Sequence, residues 1–169
     1  MNTLSQYNEP SSAPTNWPDR KRLALSIVVN VEEGAEQSVR DGDPRPEPVD
    51  ELGVVLRKPQ RNLANESNYR YGIQAGAPRI LALLAEKNVT ATFTCAALSL
   101  ERAPDLAEQI IASGHEVCAH GLRWTHQHRM NESEERAFIN ATIESITTKC
   151  GSRPLGWLSR YLITENTRR

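Results

Sequence analysis

The stretch TATFTCAALSLERAPDLAEQIIASGHEVCAH, Thr90 to His120, decides the fold. Thr90 to Ala97 is a short β-branched and aromatic run that reads as a strand. The period then becomes helical over Ala103 to Gly114, with Pro104 and Asp105 at the start and Gly114 as the stop. HEVCAH, His115 to His120, is a strand again. A strand, a helix and a strand joined by short connections make a parallel unit with a right-handed crossover.

The alternation continues on both sides. LALSIVVNV, Leu23 to Val31, is an unbroken apolar run that predicts a central strand buried on both faces. AGAPRILALLAEKNV predicts a helix with Pro78 in its first turn and a stripe of Ile80, Leu81, Leu83 and Leu84 that ends at Lys87 and Asn88. Glu132 to Gly151 predicts a further helix, acidic at its start, carrying Phe138, Ile139, Ile143 and Ile146, with Gly151 as the stop. RPLGWLSRY opens a fourth strand segment, and TENTRR reads as the start of another helix. The long irregular insert from Ala35 to about Asn68, with DGDPRPEPVD at its centre, predicts a binding loop or lid. Residues 1–21, rich in Ser, Asn and Pro, read as a flexible N-terminal arm, and residues 22–169 as one domain of the α/β class.

Composition narrows the partners. A net charge of −1 leaves no basic footprint for nucleic acid and no polybasic patch for a membrane. Cys95, Cys118 and Cys150 have no CxxC spacing, which predicts reduced, buried thiols rather than a disulfide framework or a zinc site. The first residues lack the apolar core of a signal peptide, and no window reaches the ~18 apolar residues of a membrane span, so the expected compartment is cytoplasmic.

Three clusters could carry chemistry. Glu32 and Glu33 follow the first strand, where adjacent carboxylates are tolerable only at a strand end facing a polar cavity; otherwise they begin a solvated loop. His120 follows the third strand and reaches the same edge of a parallel sheet, with Arg123 and Trp124 behind it. His115 falls at the opposite end and reads as structural, while His126 and His128 read as solvated. In RPLGWLSR, Trp157 lines a pocket or fills the core. Arg153 or Arg160 holds an anionic or carbonyl-rich substrate through its planar fork, or lies on the surface.

The ordered set VVNVEEG, YGIQAGAPRILALLAEKNVTATFTCAA, GHEVCAHGLRW and RPLGW resembles the polysaccharide deacetylase (NodB-type) superfamily, and most closely its branch of cofactor-independent allantoinases. The resemblance implies a deformed (β/α) barrel, of which residues 22–169 would be the N-terminal half, and hydrolysis of amide bonds other than peptide bonds. In the metal-dependent members it implies an Asp-Asp pair and a His-x-x-x-His pair holding a divalent metal such as zinc. Here those positions carry Glu32 and Glu33, then His120 and Trp124, so no metal and no other cofactor is expected. The resulting expectation is a metal-free hydrolase opening the ring of allantoin, in purine breakdown. Glu32, Glu33 and His120 would be catalytic, one carboxylate as base and His120 as proton donor or electrophile. Arg123, Trp124, Trp157 and Arg160 would contact a small-molecule amide substrate.

Two alternatives remain at this level: a metal-dependent carbohydrate N-deacetylase, and a truncated, inactive deacetylase-like protein. Gln74 stands where close relatives carry arginine, and LSRY replaces the usual glycine-containing turn, both changes touching substrate contacts. Such domains are about twice as long as the stretch from Leu23 to Arg169. The sequence therefore predicts an unclosed barrel with an open edge, prone to form a homo-oligomer and inactive as a monomer.

Overall fold

The structure, a computed structural model, describes residues 17–47, 53, 56 and 58–168. Most of the expected N-terminal arm and part of the insert lie outside the described residues. The centre is a three-stranded parallel sheet in the order β1 (Val28–Val31), β2 (Thr92–Cys95) and β3 (Glu116–Ala119). Register runs from Val28, Thr92 and Glu116 at one end to Val31, Cys95 and Ala119 at the other. A single parallel bridge from Ala119 to Trp157 is all that forms of the expected fourth strand among the described residues. The three strands end level, so Glu32, Ala96 and His120 leave the sheet side by side.

Helices pack where the apolar stripes predict, with adjustments. α1 (Leu63–Tyr71) starts inside the expected irregular insert, capped by the Asn62 side chain, which accepts from the Asn65 N–H. It runs through a π-helical turn, Gly72–Gly76, into α2 (Ala77–Glu86), and Pro78, which has no N–H to donate, sits in the first turn of α2. The buried face of α2 is Ala77, Leu81 and Leu84; Ile80 and Leu83, expected in the stripe, are exposed. α3 (Ala97–Arg102) is a short helix that the sequence reading missed, and α4 (Pro104–Ala112) buries Leu106, Ala107 and Ile110. α5 (Glu132–Cys150) starts with a capping box between Asn131 and Glu134 and stops at Gly151, whose φ of 73° is left-handed.

β1 departs most from expectation. Its ordered length is Val28–Val31, Leu23 and Leu25 are exposed at 77% and 80%, and Val28 is half-exposed. The apolar run that suggested a central strand belongs to the edge of this sheet. β2 is the central strand, with Phe93 and Cys95 fully buried. The TENTRR segment forms turns rather than a helix over its described residues. All three cysteines are free and buried, as expected, and burial pushes the Cys95 thiol upward. No helix among the described residues is long and apolar enough to cross a membrane.

Candidate active site

At the level edge of the sheet, Glu32 is the meeting point. Its Oε1 lies 3.3 Å from His120 Nε2, and its Oε2 accepts from Arg160 Nε. His120 is delivered by β3 and fixed by its backbone N–H, which donates to the Cys95 carbonyl at 2.9 Å. Its Nδ1 lies 2.6 Å from the Leu158 carbonyl. A carbonyl can only accept, so Nδ1 carries a proton and Nε2 is the nitrogen that faces Glu32. Nε2 has no solvent exposure and, among the described residues, no aligned hydrogen bond, so the histidine stands behind Glu32 rather than in front of it. Gly121 comes next with φ of 87°, and a Cβ there would meet Phe138 at 3.0 Å.

Burial would raise the Glu32 carboxyl, but His120 and Arg160 beside it outweigh that and hold it down to about 2. Trp124 completes the arrangement. Its indole N–H donates to the Glu32 carbonyl at 3.0 Å, and the Arg160 guanidinium lies over its ring at 3.6 Å. The same guanidinium is 4.6 Å from the ring of Tyr161, which stacks on His126 at 4.2 Å. Arg160 thus lies against two aromatic rings, with Nε bonded to Glu32 and its terminal nitrogens without a protein acceptor among the described residues.

The residues singled out from sequence divide into two groups. Glu32, His120, Trp124 and Arg160 come together. Glu33 turns toward α1, where its carboxyl fills the space in which a Cβ on Gly72 would sit, 2.7 Å away. It lines a separate cavity of about 260 Å³ with Val29, Tyr71 and Leu106. Arg123 is bonded to Asp43, and Trp157 donates its indole N–H to Ser159 Oγ at 2.8 Å. His126 and His128 are exposed, as expected. Sequence reading missed Tyr161 and the Leu158 carbonyl, for which no motif gave a signal. A second cavity, about 580 Å³, is lined in part by Glu36, Arg40, Tyr69, Arg70 and Gln74. It does not reach the Glu32 carboxyl.

To a divalent cation this centre offers one imidazole and one carboxylate whose second oxygen is already held by a guanidinium. Among the described residues no three His, Cys, Asp or Glu side chains converge. The donor set does not fit a tight catalytic metal site.

A parallel α/β sheet with a carboxylate and a histidine at its carboxyl edge defines the class. Within that class, residues 67–168 match the family model of polysaccharide deacetylases, and the chain belongs to this family. A Schizosaccharomyces pombe protein named "Putative polysaccharide deacetylase" is 31% identical over 148 residues, 83% of this chain and 46% of that protein. Among solved structures, a probable polysaccharide deacetylase from Pseudomonas aeruginosa PAO1 is 35% identical with a TM-score of 0.83, covering 99% of this chain and 56% of that one. A PuuE allantoinase is 35% identical with a TM-score of 0.82, covering 99% and 55%. The chain spans about half the length of these relatives.

Proposed function

We propose that this chain carries the centre of a metal-independent hydrolase for amide or cyclic-amide carbon–nitrogen bonds, with ring opening of allantoin as the favoured reaction. The observation that carries the reading is Glu32 held between His120 and Arg160, with Trp124 beneath the guanidinium. The likeness to a PuuE allantoinase supports the substrate. The poor metal-donor set supports the absence of a metal.

Amide hydrolysis needs an oriented water, a stabilised oxyanion and a proton for the leaving nitrogen. Glu32 is the exposed member of the pair, at 20% against 3% for the His120 side chain, so Glu32 meets water and His120 supports it from behind. The terminal nitrogens of Arg160, free among the described residues, offer a planar donor fork to a carbonyl as it becomes an oxyanion. A substrate oxygen drawing on that fork weakens the charge acting on Glu32. The carboxylate then accepts a proton from water more readily than its resting value of about 2 allows. The hydroxide oxygen adds to the carbonyl carbon, the carbon–nitrogen bond breaks, and the proton taken up by Glu32 passes to the leaving nitrogen.

The competing reading is a metal-dependent N-deacetylase, favoured by the names of the fungal and bacterial relatives. Allantoate formation and acetate release from N-acetylglucosamine oligomers, measured side by side with and without exhaustive chelation, separate the two. Allantoate formed at an unchanged rate after chelation is expected. Acetate release that chelation abolishes and zinc restores would overturn the proposal.

A further inference from the structure

We propose that Arg123 and Asp43 form a positioning pair, a strap that clamps the loop after β1 onto the loop after β3 and so fixes Trp124 beneath Arg160. The inference rests on the reading of Glu32, His120 and Arg160 as the reacting centre. It reassigns an arginine expected to touch substrate.

The hydrogen bonds of Arg123 are already committed. Nη1 donates to Asp43 Oδ1 at 2.9 Å, and Nη2 donates to Asp43 Oδ2 at 2.8 Å and to the Glu36 carbonyl at 3.0 Å. Nε is enclosed without solvent or, among the described residues, a partner. Of the five N–H groups of a guanidinium, a single one at Nη1 is left for a ligand. Arg160 contrasts with it: one bond to Glu32, and both terminal nitrogens free among the described residues.

Asp43 is equally committed. Its Oδ2 accepts from the Ser38 N–H at 2.9 Å, and its own N–H donates to the Ser38 carbonyl at 3.0 Å. The bond from Arg123 holds its carboxyl below the usual range. One residue beyond Arg123, the Trp124 N–H donates to the Ala35 carbonyl at 3.1 Å, and the indole donates to the Glu32 carbonyl. The segment carrying Glu32 is therefore stitched at Glu32, Ala35, Glu36 and Asp43 to two consecutive residues, Arg123 and Trp124. The Trp124 ring is the surface on which Arg160 rests, so the strap sets where the guanidinium fork points. A displacement of about 1 Å in a reacting geometry costs on the order of 10²-fold in rate.

Four single variants of the full chain, Arg123→Ala, Arg123→Lys, Asp43→Ala and Asp43→Asn, test this together with the Arg123→Ala/Asp43→Ala double variant. Hydrogen exchange of the Trp124 indole is followed by NMR, with Trp17→Phe and Trp157→Phe assigning the signals. Both alanine variants should accelerate that exchange by about 10-fold or more, and the double variant should add little, as members of one network do. In turnover, kcat should fall by on the order of 10- to 100-fold while KM stays within about twofold. Should Arg123→Ala fail to fold, the milder Arg123→Lys and Asp43→Asn carry the same comparison. The strap is overturned if the Asp43 variants leave Trp124 exchange and kcat untouched, or if the Arg123 variants act on KM alone. Accelerated exchange in a protein that turns over neither substrate would sink the hydrolase reading and leave the strap standing.

Discussion

The two ends of the sheet each bury a histidine and use it differently. At the entry of β3, His115 is 8% exposed, takes the Ala91 N–H on Nδ1 at 3.3 Å, and lies 5.1 Å from the Phe93 ring. At the exit, His120 is 4% exposed and meets a backbone carbonyl and the Glu32 carboxylate, which in turn bonds a guanidinium 128 residues further along the chain. Burial alone does not separate them. The difference is charge delivered by other segments of the chain, the loop after β1 and the stretch after Trp157, and a parallel sheet collects such charge at its carboxyl edge.

Substitution should break this comparison cleanly. Glu32→Gln is expected to lower turnover by on the order of 10²-fold or more, because it removes the carboxylate while keeping its shape. His115→Phe is expected to leave kcat unchanged and to cost about 1–3 kcal/mol of stability by stranding the buried Ala91 N–H. Equal losses of kcat in the two variants would erase the distinction between the ends.

The segment carrying Arg160 depends on a second buried carboxylate. Glu135, 1% exposed, accepts from Gln127 Nε2 at 2.9 Å and from the Thr164 and Thr167 hydroxyls. Burial raises this carboxyl, but those three donors outweigh it and bring it below its usual value. Glu135→Ala strands all three and should cost about 2–4 kcal/mol in urea unfolding. A loss under about 0.5 kcal/mol, the size of an ordinary surface substitution, would show that the segment is held elsewhere.

A smaller effect is expected from acid. Because the folded Glu32 carboxyl is depressed to about 2, its contribution is fully present above the unfolded value of 4.5 and is lost as pH falls from there through about 2. The contribution is at most about 3 kcal/mol, and Glu32→Gln should flatten the stability profile in that window. A wild-type and a variant profile of equal slope there would contradict the pairing.

Much of this was legible in the sequence. The apolar runs and the Pro and Gly stops placed β2, β3, α4 and α5, and parallel order then put Glu32 and His120 at one edge. Local pattern could not show that β1 is an edge, since an apolar run reads the same whether or not a neighbour covers it; Leu23 and Leu25 are exposed. Nor could it show which of two adjacent carboxylates turns inward. Glu33 was separated from Glu32 by the space that Gly72 leaves open, a contact across the fold. The partners of both arginines were equally hidden, because Asp43 and Glu32 lie 80 and 128 residues from them along the chain.

On the proposed reading, Arg160 rather than a metal supplies the positive charge that faces the Glu32 carboxylate from outside. Carbon-detected NMR titration of the Glu32 carboxyl, with and without added zinc, tests it without depending on turnover. A midpoint at about 2 is expected, one that zinc leaves in place and that Arg160→Ala raises. A midpoint at the ordinary 4.5, or one that zinc lowers while shifting the His120 signals, would contradict it.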